Sequence, residues 1–551
     1  MRFLPFVAAA VFVASPAVAQ TDERRPAALA EPQRGRLREV RIVTGDVFDE
    51  ATREERPIAA LVDALHWTTR DEVVARELWF ARGDRVDAAM AAELERNLRA
   101  LGLFAEVRVR LVPTDTTDEV DLEVVTRDRL SITFGGGASF VGGVTGLRFA
   151  LGESNLFGLG DRLVGSFAEN SDGDYRGSLV YSDLHVFDTW HTGSVRLSRT
   201  DDGESLGLEL RRPLKHLADP RSYGFAYAHD ELANEFVRDG DVLAEVPERR
   251  DVFTADLLWA NGPREHRDKL GFVLRVVERD YEPARGPLAA EIRVPGDTSS
   301  VFFGPSLSTR WITGFAKVDN VDTLGFVQDV VLGVSLSATA GARWRDAAGE
   351  GGAVQPEIAA ETGWAAEPLP GLLTNLGLAG GLRWDGDTAG AWNVGANARA
   401  FARLSSHHTF GAFVDFDALE ELQDLPIELT LGEDNGLRGY RARQFAGTRR
   451  LRTIVEHRWA TGLEVATLRL GLVGFVDTGW TGDGSELGRP FQSIGAGLRI
   501  GSQPLLGDGV FRLDVAKPLD QIPGEDDGWQ LSATIGQVFT FGGNTTVAGS
   551  R

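Results

Sequence analysis

From Leu130 to Phe541 the chain repeats one pattern: apolar and polar residues alternate with period two, broken by Gly, Asp and Asn turns. Leu147, Phe149 and Leu151 share a face opposite Arg148, and Leu206, Leu208 and Leu210 oppose Glu209 and Arg211. Leu468, Leu470 and Leu472 oppose Arg469 and Asp477, and Phe511, Leu513 and Val515 oppose Arg512 and Asp514. Such alternation predicts antiparallel strands with one apolar face. A soluble sandwich turns its charges outward, whereas a barrel in lipid turns its apolar set outward and its charges into a wet lumen. The pattern alone leaves both open. The length, the lack of any break into shorter domains over about four hundred residues, and an export signal favour the barrel, since closure also removes sheet edges. After the N-terminal signal no apolar run has helix-spanning length, and the mean hydropathy of −0.14 suits a barrel in which only alternate residues meet lipid. About twenty strand candidates can be counted between Leu130 and Phe541.

The first nineteen residues read as a signal peptide (1–19): Arg2, the apolar run Leu4 to Ala14, and an A-x-A-like site at Ala17-Val18-Ala19. A polar, Pro-containing linker (20–36) follows. The chain of 551 residues has 0 Cys, so disulfides, cysteine metal sites and thiol catalysis are excluded. A net charge of −23 argues against nucleic acid as a partner.

Residues 37–127 read as a small α+β domain. Leu37 to Val43 alternates as a short strand, and a helical stretch lies near Arg53 to Leu65. Thr69-x-x-Glu72 is a capping-box pattern opening a helix through Leu78. Asp87 to Ala100 is a further helix, with Met90, Leu94, Leu98 and Leu101 on one side. Two strands end the domain, one with Val107, Val109 and Leu111 on a face, the other with Val120, Leu122 and Val124.

Late in the alternating region, GEDNGLRGY (Gly432 to Tyr440) places an arginine in a glycine-bracketed loop, and FVDTG (Phe475 to Gly479) offers a carboxylate. Other marked segments are NLFGLGD (Asn155 to Asp161), TIVEHRW around Glu456, SIGAGLR (Ser493 to Arg499) and FRLDVAKPL (Phe511 to Leu519). The last strand carries Thr534-x-Gly536-x-x-Phe539-x-Phe541, with Leu531, Ala533, Ile535, Phe539 and Phe541 expected to face lipid, followed by a polar tail (542–551).

The stretch Thr69 to Val109 resembles a POTRA domain, and the whole order of motifs resembles the BamA/TamA-type superfamily, outer-membrane assembly factors with POTRA domains and a surface-antigen-like barrel. The resemblance implies one POTRA-like domain (37–127) in the periplasm and a barrel (128–541) in the outer membrane of a Gram-negative cell. It implies sixteen strands, fewer than the number counted. The excess falls between Val327 and Glu420, where long strands could have been split, and about sixteen is the expectation.

The resemblance also implies that the arginine loop folds into the lumen, where Arg438 meets acidic residues matching Glu456 and Asp477. Strand parity agrees independently: Arg450, Arg452, Glu456 and Arg458 share one face against Val455 and Trp459, and Asp477 lies opposite the leucines. Arginine suits the role because its planar fork binds carboxylates through paired hydrogen bonds. Gly436 and Gly439 would let the tip turn, Leu437 and Tyr440 would pack, and Phe475 and Gly479 frame Asp477. Thr534, Gly536, Phe539 and Phe541 match a barrel-assembly signal.

The expected function is assembly, insertion or translocation of client proteins, with strand capture by the POTRA-like sheet edge and a lateral seam weakened by FGGGASFVGG (Phe134 to Gly143). A two-partner-secretion-type transporter and a passive porin are the alternatives. Partners would be unfolded outer-membrane or secreted proteins, outer-membrane lipids, and periplasmic chaperones or accessory subunits. No cofactor or metal is expected, and no enzymatic activity. GESLG (Gly203 to Gly207) matches a nucleophile elbow in letters but precedes a strand, not a helix. The identity of the client is not encoded legibly.

Overall fold

The computed structural model describes residues 34–47, 66–116, 118–141, 144–171, 173, 175–263, 265–348, 351–386, 388–421, 428–465, 467–502, 509–522, 528–535 and 537–538. The expected signal peptide, the helix near Arg53 to Leu65 and the polar tail lie outside the described residues.

The N-terminal unit is a four-stranded sheet of β1 (Arg34–Gly45), β2 (Arg85–Asp87), β3 (Phe104–Pro113) and β4 (Glu119–Asp128). The strands lie in the order β2-β1-β4-β3. Among the described residues two helices, α1 (Asp71–Arg76) and α2 (Ala88–Ala100), accompany the sheet. Asp87 caps α2, its side chain accepting from the Met90 amide. Leu94 and Leu98 of α2 are buried with Leu37, Val107, Leu111, Val120, Leu122 and Val124 in one core. The expected capping box at α1 does not form. The α1 N-cap is Arg70, with no side-chain cap. Thr69 is committed elsewhere: its amide donates to Asp128 at 2.6 Å and its hydroxyl accepts from Asn155 at 2.9 Å. A tertiary partner has outcompeted the local one.

The alternating region closes into an antiparallel barrel of twenty strands. Fifteen run consecutively from β5 (Ile132–Val141) to β19 (His408–Glu421), and five follow the arginine loop. These five are β22 (Arg449–Val465), β23 (Leu468–Gly482), β24 (Phe491–Gly501), β25 (Val510–Pro518) and β26 (Gln530–Ile535). Two short strands, β20 (Leu429–Leu431) and β21 (Phe445–Gly447), pair with each other within the loop. The count differs from the sixteen that the resemblance implied and agrees with the number read from the residues. Between Val327 and Glu421 lie five separate strands of 14 to 21 residues, each paired with its neighbour in turn. No long strand was split there.

Parity holds around the wall. Leu147, Phe149, Leu208, Leu210, Leu270, Phe272, Leu376, Val455 and Leu472 are exposed on the outside. Inward positions such as Arg343, Gln355, Arg399, Glu456 and Asp477 are buried. An apolar outer surface around polar contents is the inverse of a soluble protein and is the arrangement a lipid solvent demands.

The ends of the barrel meet at β26 and β5. Among the described residues this seam pairs Leu531, Ser532 and Ala533 with Phe140, Ser139 and Ala138, whereas β26 pairs with β25 over six residues. The last strand was expected to run to Phe541. Instead β26 stops at Ile535, and Val538 packs inward against a buried cluster that contains Ile454. Leu531 does face outward, as expected. Thr534 lies on β26 opposite Arg512 of β25, while Gly536, Phe539 and Phe541 lie outside the described residues. GESLG forms the start of a hairpin strand, Glu204–Arg212, so the strand-to-helix turn that an elbow needs is not there.

Candidate functional site: a lumenal arginine lock

The connection from β19 to β22 folds back into the barrel instead of staying outside it. A single 3-10 turn, Glu433–Asn435, is followed by Gly436 at φ 104° and Gly439 at φ 86°. Both lie in the left-handed region that a side chain resists. Space adds to the reason at Gly439, where a Cβ would press against Ala516 and Pro518 of β25 at 3.2–3.4 Å.

Between these glycines Leu437 and Arg438 are fully buried. The Arg438 guanidinium donates to Asp477 through Nε (2.7 Å) and Nη2 (2.7 Å), and to Glu456 Oε1 through Nη1 (2.8 Å). Its backbone amide also donates to Asp477, at 3.2 Å. The planar fork thus meets one carboxylate with two parallel bonds and bridges to a second on the neighbouring strand, a geometry lysine cannot reproduce. The Phe475 ring lies under the guanidinium, 3.3 Å from Cζ to centroid, and supplies a cation–π contact in a water-poor setting. Gly495 of β24 leaves room for that ring. Gly479 does the same for Leu431, whose Cδ2 stands 2.6 Å from where a Cβ would sit.

Tyr440 is buried beside Leu431 and Leu437, with Phe445 and Phe491 against them. Its ring meets both phenylalanines edge-on, and its hydroxyl donates to the Gln492 carbonyl at 2.7 Å. The structure therefore brings together Gly436, Leu437, Arg438, Gly439, Tyr440, Glu456, Phe475, Asp477 and Gly479. It keeps Thr534 outside this contact set.

Sequence reasoning left the partners of the other inward charges unassigned. Arg458 donates to Glu456 Oε2 at 2.9 Å, on the side away from Arg438. Asp514 of β25 accepts from Arg499 of β24 at 2.6 Å and stands 3.6 Å from Arg438 Nη1. Arg452 donates to the Asn435 carbonyl and, at 2.6–2.8 Å, to both oxygens of Asp415. The same parity rule places all of these inward, so the signal was present. What it lacked was the register that puts Glu456 opposite Phe475 and Ser493 opposite Asp477. Every buried carboxylate here faces at least one guanidinium, which is what keeps a buried charge tolerable.

NLFGLGD turns out to join the two domains. The Asn155 amide donates to the Trp67 carbonyl (2.7 Å) and to Thr69, while its oxygen accepts from Gly160. Gly158, at φ 74°, comes so close to Thr68 that a Cβ would lie 2.5 Å from its carbonyl oxygen. Around α1, Glu77 accepts from Lys215 at 3.0 Å and lies 2.8 Å from His185 Nε2, both on barrel turns. Burial alone would raise the Glu77 carboxyl, but these two partners hold it below the ordinary carboxylate value. From α2, Arg99 donates to Asp329 at 2.6 Å and Arg96 lies 4.0 Å over the Phe315 ring. The N-terminal domain is thereby fixed to one end of the barrel.

No family model matches the chain. By sequence it is similar to the outer membrane protein assembly factor BamA of Nitratidesulfovibrio vulgaris, 36% identical over 96 residues, which is 17% of this chain and 12% of that protein. It is also similar to BamA of Neorickettsia risticii, 31% identical over 133 residues, 23% of this chain and 17% of the relative. The matched stretches thus span under a fifth of the length of these relatives. Among solved structures, BamA from Haemophilus ducreyi lacking POTRA domains 1–3 aligns over 91% of this chain and 84% of its own, at 13% identity and a TM-score of 0.40. CdiB from Acinetobacter baumannii aligns over 91% and 74%, at 12% identity and 0.44. Over the matched stretches the chain is thus similar to outer membrane protein assembly factors named BamA.

Proposed function

We propose that this chain assembles or translocates client proteins at the outer membrane, and that the Arg438 lock holds the barrel in its working shape. The observation that carries the reading is the burial of Arg438 among Asp477, Glu456 and Phe475 inside the lumen. Seating this loop costs the desolvation of a guanidinium and two carboxylates, a cost more readily explained by a structural role in the barrel than by passive diffusion alone. Keeping β22 to β25 rigid while the seam opens is such a role. Among the described residues β26 pairs with β5 over three positions, which supports a seam that yields sideways, and the adjoining glycines 135 to 137 of β5 add little side-chain packing beside it. An opened seam exposes strand edges that pair with an incoming client strand. The outer edge β3 of the N-terminal sheet offers the same chemistry in the periplasm. The chemistry is non-covalent, and the chain is not an enzyme on this reading.

Depletion of the protein followed by comparison of the outer-membrane proteome tests the function. Loss of many barrel proteins is the expected result. Loss of one secreted protein would instead mean a two-partner-secretion-type transporter, and an unchanged proteome would mean a porin. The seam is tested with cysteines at Ser532 and Ser139, which face each other in register. Oxidation should stop client assembly, and unchanged assembly with the disulfide formed would eliminate lateral opening.

A further inference from the structure

A second element enters the lumen, from the opposite end. The turn between β14 (Thr298–Asp319) and β15 (Val327–Ala347) lies at the periplasmic mouth, since Asp329 beside it binds Arg99 of the N-terminal domain. The turn does not project outward. Val321 is fully buried and Leu324 nearly so. Leu324 reaches across to β23 and β24, where Gly471 and Gly501 make room for it. Arg469 of β23 donates to the Gly325 carbonyl and lies 4.4 Å over the Phe326 ring. The Asn320 amide donates to the Ser406 carbonyl on another turn, at 3.0 Å. The turn is also stitched internally: the Asn320 side-chain oxygen accepts from Gly325 at 2.7 Å, and Gln328 donates to Asp322 at 2.9 Å.

The inner face of β22 connects this turn to the arginine loop. Its successive inward residues are Arg452, Ile454, Glu456 and Arg458. Arg452 holds the Asn435 carbonyl, Ile454 packs against Gly436, and Glu456 accepts from Arg438. Arg458 then holds the Val321 carbonyl of the turn while its Nε binds the other oxygen of Glu456. Val321 and Ile454 share one buried cluster with Phe401 and Phe413. The two inward elements therefore meet through one carboxylate.

We propose that the turn Asn320–Phe326 is a gate over the periplasmic mouth, and that Arg458 is the positioning residue that couples it to the Arg438 lock through Glu456. The coupling rests on the lock reading, whereas the gate stands by its own contacts. While the turn is seated, a solute or polypeptide cannot enter the lumen along β22 to β24. Release of Arg458 frees the turn and leaves Glu456 with Arg438 alone.

The test uses the full chain in planar lipid bilayers, and its lack of cysteine makes a single introduced pair unambiguous. Arg458→Ala removes a charge-assisted bond to the turn and should raise the open fraction of the barrel by roughly tenfold or more. Arg469→Ala, nearer the rim, should act in the same direction. Leu324→Cys with Gly501→Cys places the two Cβ atoms 2.9 Å apart, short of the usual separation of about 3.8 Å but within a small shift of the turn. Its disulfide in the Arg458→Ala background should return conductance to the parent level. Parent-level conductance in both arginine variants, or an open fraction that the disulfide leaves unchanged, overturns the gate. If Arg458→Ala loses the folded, heat-modifiable band on gels, Arg469→Ala alone decides. Coupling is read separately: Arg438→Ala should speed thiol labelling of a lone Leu324→Cys, and an unchanged rate overturns it. Client assembly by Arg438→Ala reports on the lock itself, so a failed lock with a working gate is distinguishable.

Discussion

Replacing Arg438 by alanine strands one carboxylate more than the other. Glu456 keeps Arg458, and Asp514 keeps Arg499, but the two side-chain bonds Asp477 accepts from Arg438 have no replacement among the contacts described. A buried charge that loses its partner costs about 3–5 kcal/mol. Unseating the loop lets water reach Asp477 and relieves that cost, so the substitution shifts the seated-to-unseated balance by roughly a hundredfold to a few thousandfold. Leu437 reports on seating because it is fully buried next to Arg438. In a Leu437→Cys background, thiol labelling through loop opening should accelerate by that factor on adding Arg438→Ala. Adding Asp477→Asn as a third change removes the stranded charge and should slow labelling again. Arg438→Lys should fall between, since an ammonium cannot bind both Asp477 oxygens and reach Glu456. If Arg438→Ala labels within about threefold of its parent, or if Asp477→Asn speeds labelling further, the argument from a stranded carboxylate is wrong. Heat-modifiable mobility on gels confirms that each variant still forms a barrel.

Tyr440→Phe keeps the ring packing and loses the bond to Gln492, so the same labelling assay should show a loss of about 0.5–1.5 kcal/mol, far less than Arg438→Ala. Leu472→Arg places a charge on the outer face and should destabilise folding into vesicles by about 2–4 kcal/mol if it lies at mid-membrane, measured by denaturant titration. Docking of the N-terminal domain should depend on Glu77. Its carboxyl is held below the ordinary value when docked, so its contribution is complete above that value, about pH 4.3, and is lost as pH falls through the depressed one. Hydrogen exchange in α1 should rise over that acidic range in the parent, and Glu77→Gln should remove the dependence.

Much of the site is legible in the order of the residues, because a strand in lipid obeys a strict parity. Glu456 and Asp477 can be assigned inward from the apolar residues around them alone, whereas Arg438, on a loop, is placed inward only by the family resemblance. The strand count is legible too, and it is the residues, not the family pattern, that carry it. The capping box at Thr69 misleads because a local motif competes with distant partners, and Asn155 and Asp128 lie 86 and 59 residues away. The terminal strand is read too long: β26 ends at Ile535, although Val538 still lies on the inner side that the alternation gives it, against the cluster of Ile454.

The sequence by itself determined which residues form strands and which face of each strand meets lipid, Glu456 and Asp477 among the inward set. Those follow from period and polarity, which are local. Only the tertiary structure decided that Glu456 serves two arginines, that the turn Asn320–Phe326 folds inward against β22 to β24, and that NLFGLGD grips the N-terminal domain. These depend on register around a closed ring, where residues 137 positions apart, such as Val321 and Arg458, come within bonding distance. Alternation has no memory at that range, so closure alone supplies the partners.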